Sequence, residues 1–141
     1  MIVTVRIDGE QQTPEGEKNN IELVTEGKFY KKKGIYYIIY EETEVSGMEG
    51  TTTTLKIRDG KVSMKRYGTN QSKLIFEKGV KHNTKYKTDF GEMLMEVMTS
   101  KIDIDLDEKG TGSLYLDYRL NISNSVESRN KLNLKITPKN K

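Results

Sequence analysis

The chain of 141 residues contains no cysteine, a single histidine, two prolines and no long apolar run. Without cysteine there is no disulfide staple, no thiolate nucleophile and no sulfur-ligated zinc or iron cluster, and the composition fits a reducing compartment. His82 has no cysteine, second histidine or serine elbow to work with. It sits among lysines in KGVKHN, where a solvated turn histidine is the plainer reading. The opening MIVTVRIDGE is strand-like from its second residue, which argues against a signal peptide and a membrane span. The expectation is a cytoplasmic protein with no enzyme activity, no cofactor and no membrane partner. Helical periodicity is missing too, so no long helix is expected.

Net charge is +3, too little to define a nucleic-acid binder, but its distribution is uneven. Residues 61–87 hold eight Lys/Arg and one acid, Glu77, whereas residues 88–110 hold seven acids and two lysines. The chain is electrically polarised along its length.

What the sequence has in abundance is period-two alternation. Ile102, Ile104 and Leu106 alternate with Asp103, Asp105 and Asp107, and Leu114, Leu116, Tyr118, Leu120 and Ile122 alternate with polar residues. Each such run has one core face and one wet face. Lys33-Gly34, Asp59-Gly60, Lys78-Gly79, Phe90-Gly91 and Gly110 to Gly112 separate alternating runs. Asp59-Gly60 is the strongest hairpin signal, since both central residues of that tight turn need positive φ. Strands are read near residues 2–8, 20–32, 34–44, 51–58, 61–68, 72–78, 83–89, 92–99, 101–107, 112–122 and 131–137, with polar connections at 9–19, 45–50 and 123–130. A chain of this length with a third of its residues apolar makes one domain and one core. So many short antiparallel strands must hide their edges, and short hairpins favour a single up-and-down β-barrel of about 8–11 strands over a two-sheet sandwich.

KGIYYIIY, residues 33–40, partly matches the octapeptide with which RNA-recognition domains stack bases. It agrees at Lys33, Gly34 and Tyr40, conservatively at Tyr37 and Ile38, and fails at Ile35 and Tyr36. That fold needs two helices behind its sheet, and this chain offers neither. Lys33-Gly34 reads better as a hairpin turn, and the rest as barrel wall.

Several segments carry a resemblance: YEET at 40–43, GTTTTLKI at 50–57, Arg66-Tyr67-Gly68, LIFEKG at 74–79, KYKTDFGEMLMEV at 85–97 and LDYRLNI at 116–122. In this order the chain resembles the YwiB-type family of small bacterial proteins of unknown function. The resemblance implies a calycin or lipocalin-like β-barrel and brings no established activity. Tyr67 departs from it, standing where a basic or small polar residue is expected. By fold analogy alone, the implied role is a non-catalytic binding module for a small, partly apolar ligand in the barrel interior.

Alternation names candidate residues for that role. Val62, Met64 and Arg66 share one face of their strand, and the phase Tyr36, Ile38, Tyr40 turns Glu42 inward as well, whereas the opposite phase of this strand, apolar on both faces, would choose Glu41. An inward arginine needs a partner. An Arg66–Glu42 pair near one barrel end is expected, with Tyr86, Thr88 and Tyr118 lining the same cavity. The plainer reading is a structural pair inside a filled barrel. An alternative function uses the outer wall: Lys61, Lys65, Lys73, Lys85 and Lys87, with Tyr67, form a basic stripe for nucleic acid or an acidic protein, or else a solvated surface. Strands 101–122 oppose it with Asp103, Asp105, Asp107 and Asp117. The one-three-five spacing of Asp103, Asp105 and Asp107 is that of a calcium loop, but Glu108 and Leu114 stand where glycine and a bidentate glutamate belong, so no metal is expected. Leu94 and Met98 face away from Met93, Met95 and Val97, which points to an outer face covered by a terminal segment or by a second copy, hence a homodimer.

Overall fold

The computed structural model describes residues 1–68, 71–88, 91–123 and 126–139; of Lys87, Thr88 and Val126 it describes the backbone alone. Ten strands are formed: β1 (Ile2–Gln12), β2 (Lys18–Lys32), β3 (Ile35–Glu41), β4 (Thr51–Arg58), β5 (Lys61–Gly68), β6 (Ser72–Phe76), β7 (Lys81–Thr88), β8 (Gly91–Leu106), β9 (Gly112–Ile122) and β10 (Val126–Pro138). The one helical segment among the described residues is a 3-10 turn at Glu44–Ser46. The strands join in the order β6-β5-β4-β3-β2-β1-β10-β9-β8-β7, every ladder antiparallel.

Spatial neighbours are thus sequence neighbours all the way round, apart from the β1–β10 ladder. This is the expected up-and-down barrel with one seam, between β6 and β7. The seam is held by a parallel bridge between Lys78 and Thr99, a 2.9 Å hydrogen bond from Gly79 N to Thr99 O, and an edge-on contact of Phe76 with Tyr118 at 4.7 Å between ring centroids. Two turns form as their sequence demands, with positive φ at Lys33 (52°) and Gly34 (80°) and at Asp59 (49°) and Gly60 (74°).

Three kinds of difference from the sequence reading have a physical reason. Residues 92–99 and 101–107 are one strand, β8, whose register against β9 shifts between Thr99 and Lys101. The bulge reverses side-chain phase, so Met95, Val97 and Thr99 point inward before it and Ile102, Ile104 and Leu106 after it. Residues 9–12 and 18–19 extend β1 and β2, and residues 126–130 extend β10, because ladder hydrogen bonding continues where apolar alternation has stopped. The Glu44–Ser46 turn ends the third predicted strand early, with Thr43 Oγ1 accepting from Val45 N at 3.2 Å.

Inward side chains fill the barrel. Phe29, Phe76, Ile38, Leu55, Leu114 and Leu134 are fully buried, each stabilising the fold by roughly 1.5–3 kcal/mol. Packing is tight where β1, β2 and β3 meet. A Cβ added at Gly27 would lie 2.7 Å from the Ile39 carbonyl oxygen and 2.8 Å from Val5 Cγ2. Glycine is required there to let the wall close over Tyr40. Gly27→Ala is expected to lower stability by about 1–3 kcal/mol; an unchanged urea midpoint contradicts this close approach.

Candidate functional site

One end of the interior is polar. Strand phase turns Glu42 inward just past β3, and Thr51 and Thr53 inward from β4, because Leu55 and Ile57 of the same strand belong to the core. Arg66 of β5 lies opposite Thr53 on one side and Ser72 of β6 on the other. Glu42 has 3% of its side chain exposed; Thr53 donates its hydroxyl to Glu42 Oε2 at 2.5 Å. Arg66 Nε lies 3.8 Å from that same oxygen, its side chain 19% exposed, and this nitrogen is buried without a hydrogen bond. The expected Arg66–Glu42 pair is therefore formed, as an ion pair rather than a fork of hydrogen bonds.

Tyrosines complete the cluster. Tyr40 is buried, and its hydroxyl pKa is pushed above the usual 10, first by burial and then by the charge of Glu42, with Arg66 acting in the opposite sense. Burial likewise raises Tyr118, against the pull of Arg66. Tyr86 packs half-buried against the core. The side chain of Thr88 lies outside the described residues. Tyr40 and Thr53 were absent from the expected site, although both were legible: Tyr40 shares the phase that picked Glu42, and Thr53 is two residues from Leu55. Grooves of about 520, 490 and 450 Å3 open on the outer wall, lined for example by Asp8 and Tyr115, by Glu26 and Lys28, and by Lys56 and Arg58. The second also borders Tyr40, but none of the three is lined by Glu42, Arg66 or Tyr118.

The outer stripe is rearranged. Lys61, Lys65 and Tyr67 of β5 and Lys73 of β6 share one outer wall, with Lys65 directly opposite Lys73. Lys85 belongs to β7, beyond the seam and opposite Leu94 of β8, and the Lys87 side chain lies outside the described residues. The five lysines are not one ladder-connected stripe, because β6 and β7 are opposite ends of the sheet order. Leu94 and Met98 do face outward, 44% and 39% exposed.

Two acids behave differently from expectation. Asp117 is buried rather than wet, since Arg129 of β10 covers it with contacts of 3.1 and 3.4 Å to its two carboxylate oxygens. Asp107 caps its own turn, accepting from the backbone of Lys109 at 2.9 Å and Thr111 at 3.2 Å. His82 is likewise no solvated turn residue. It lies in β7 with Nε2 3.0 Å from Glu77 Oε1, and Lys61 approaches the same carboxylate at 3.6 Å.

Fold and site together define a ten-stranded up-and-down β-barrel with an ionic and hydroxylic cluster at one interior end. The chain belongs to the family described as "Domain of unknown function (DUF1934)", matched over residues 5–134. It is 30% identical over 114 residues, 80% of this chain and 78% of the relative, to the "Uncharacterized beta-barrel protein YwiB" of Bacillus subtilis (strain 168). It also matches the crystal structure of the ywiB protein from Bacillus subtilis with a TM-score of 0.81 and 25% identity, over 95% of this chain and 90% of that one. The YwiB-type resemblance read from the motifs is thereby established.

Arg66→Ala is expected to cost about 2–3 kcal/mol, below the roughly 3–5 kcal/mol of a fully buried pair because the guanidinium is partly exposed. The double variant Glu42→Gln/Arg66→Met should recover most of that loss in urea titrations, since no unpaired charge is then left inside. A second expectation concerns Glu77, whose pKa is lowered from its usual 4.5, chiefly by the hydrogen bond with His82, which prevails over desolvation acting in the opposite sense, with the nearby positive charges of Lys61 and His82 adding to the lowering. A depressed folded-state pKa gives stability that is present above pH 4.5 and lost as pH falls through the lowered value. Glu77→Gln should flatten the stability profile in that acid window, as read by denaturation midpoints between about pH 5 and pH 2.

Proposed function

We propose that this barrel is a non-catalytic binding module that holds a small, partly apolar molecule bearing an anionic group at its Arg66 end. The observation that carries the reading is the state of Arg66 itself. Its guanidinium has five donors, yet its Nε is buried without a hydrogen bond, and its nearest carboxylate, at 3.8 Å, is already taken by the Thr53 hydroxyl. A guest carboxylate would accept from the Nε edge of the guanidinium in bidentate fashion. Tyr40, Tyr118 and Ser72 offer hydroxyls beside it, and Phe76 and Leu74 supply apolar surface. The rest of the interior is filled by side chains, which confines the guest to this end. A binding role is favoured over catalysis because the chain's one histidine is engaged with Glu77, which Lys61 also approaches, at the other end of β5 from Arg66. The calycin analogy points the same way.

Native mass spectrometry of freshly purified protein tests this directly. The expected result is a co-purified mass that is absent from Arg66→Gln, together with a rise in melting temperature on adding decanoate but not its methyl ester. A protein that shows no adduct and whose melting is indifferent to decanoate and to aromatic carboxylates contradicts the reading.

A further inference from the structure

The outer wall of β2 to β6 carries a pattern independent of the interior. Residues opposite each other across antiparallel ladders form lateral rows. One row runs Lys28, Ile39, Thr54, Lys65, Lys73, and the next runs Tyr30, Tyr37, Lys56, Ser63, Ile75. The first crosses four strand gaps, about 19 Å of wall at roughly 4.8 Å per gap. Among the described residues no carboxylate lies within ion-pair distance of Lys28, Lys56, Lys65 or Lys73. Of the acids at the margins, Glu26 is engaged with Lys139, Asp59 with Arg58, and Glu77 with Lys61 and His82, while Glu41, in the row of Thr52 and Tyr67, stands exposed.

In place of acids, two of these ammonium groups lean on aromatic rings. Lys65 Nζ stands 4.9 Å from the Tyr67 ring centroid and Lys56 Nζ 5.7 Å from that of Tyr37. Tyr30 and Tyr37 stack at 4.7 Å with planes 15° apart. Tyr67 is 47% and Tyr30 41% exposed, so each ring presents open surface. Unpaired cations interleaved with exposed tyrosines suit a partner that has both repeated negative charge and flat apolar faces.

We propose that this Lys/Tyr wall of β2 to β6 binds single-stranded nucleic acid, the lysines following the phosphates and the tyrosines stacking unpaired bases. A duplex fits poorly, since its bases are already stacked and the wall offers neither a protruding helix nor a two-stranded ribbon to enter a major groove. Charge polarity supports the orientation. The β8–β9 wall presents Asp103 and Asp105 beside Lys101, which pairs with Asp103 at 3.5 Å, a mixed face unlike the two acid-free rows of β2 to β6.

Fluorescence anisotropy with labelled oligo(U) and oligo(dT) of 20 nucleotides, from 50 to 300 mM NaCl, tests the proposal. Log affinity should fall with log salt at a slope of about −2 for three contacted phosphates. Lys56→Gln/Lys65→Gln/Lys73→Gln should flatten that slope to near zero, whereas Tyr67→Ala should weaken binding about tenfold with the slope unchanged. Lys131→Gln/Lys135→Gln, on the β10 wall, should bind as the parent does. All these side chains are exposed, so melting temperature should be preserved and serves as the folding control. Salt-independent or absent binding overturns the proposal. So does equal loss in the β10 variant, a preference for duplex, or displacement of the oligonucleotide by polyglutamate as readily as by poly(U), which would mark an acidic-protein surface instead.

Discussion

Closure of the β6–β7 seam is the constraint on which the rest of the structure depends. A ten-stranded sheet with two free edges would expose unpaired backbone groups along both β6 and β7. Here the edges meet without a regular ladder. One parallel bridge, one backbone hydrogen bond from Gly79, the Phe76–Tyr118 ring contact and the His82–Glu77 pair take its place. The wall can only reach round to this seam if β1 and β10 pair, and their partners, such as Val3 with Pro138, are far apart in sequence. Such pairing must be reached before it is rewarded, which makes the barrel a slow, high-contact-order fold.

The polar end of the interior depends on the same closure. Tyr118 touches the seam through Phe76 and feels the charge of Arg66. Arg66 sits on β5, one strand from the β6 edge. Of the contacts that shut the barrel, the Phe76–Tyr118 ring pair is the one that joins this cluster; the His82–Glu77 contact lies at the other end of β5. A side chain that loosens the seam loosens the electrostatics of the cluster too, because attraction between charges weakens as water enters.

Much of this was legible in the sequence because strands announce themselves by alternation. The inward phase of Val62, Met64 and Arg66 identified the arginine, and that of Tyr36, Ile38 and Tyr40 identified its carboxylate partner. Turn chemistry placed Lys33-Gly34 and Asp59-Gly60 correctly. Alternation fails where strand formation has another cause. The tips of β1, β2 and β10 are polar, and only their neighbours' hydrogen-bonding groups hold them extended. The burial of Asp117 depends on Arg129, a side chain on another strand, which a local pattern does not register. The lysines of residues 61–87 read as one stripe because sequence shows which way a residue faces but not where a sheet ends.

The bulge in β8 bears on how this chain tolerates change of length. It uses one extra residue, Ser100, to let a single strand serve two opposite phases, so the wall before and after it stays in register with the core. Removing that residue would let Lys101 follow Thr99 in regular alternation, so the ladder with β9 would run straight and Ile102, Ile104 and Leu106 would still face the core. Strict alternation with Ser100 retained, not its loss, would turn Ile102, Ile104 and Leu106 outward and bring Asp103 and Asp105 in. The bulge is thus the place where β8 can lose one residue without turning the strand over.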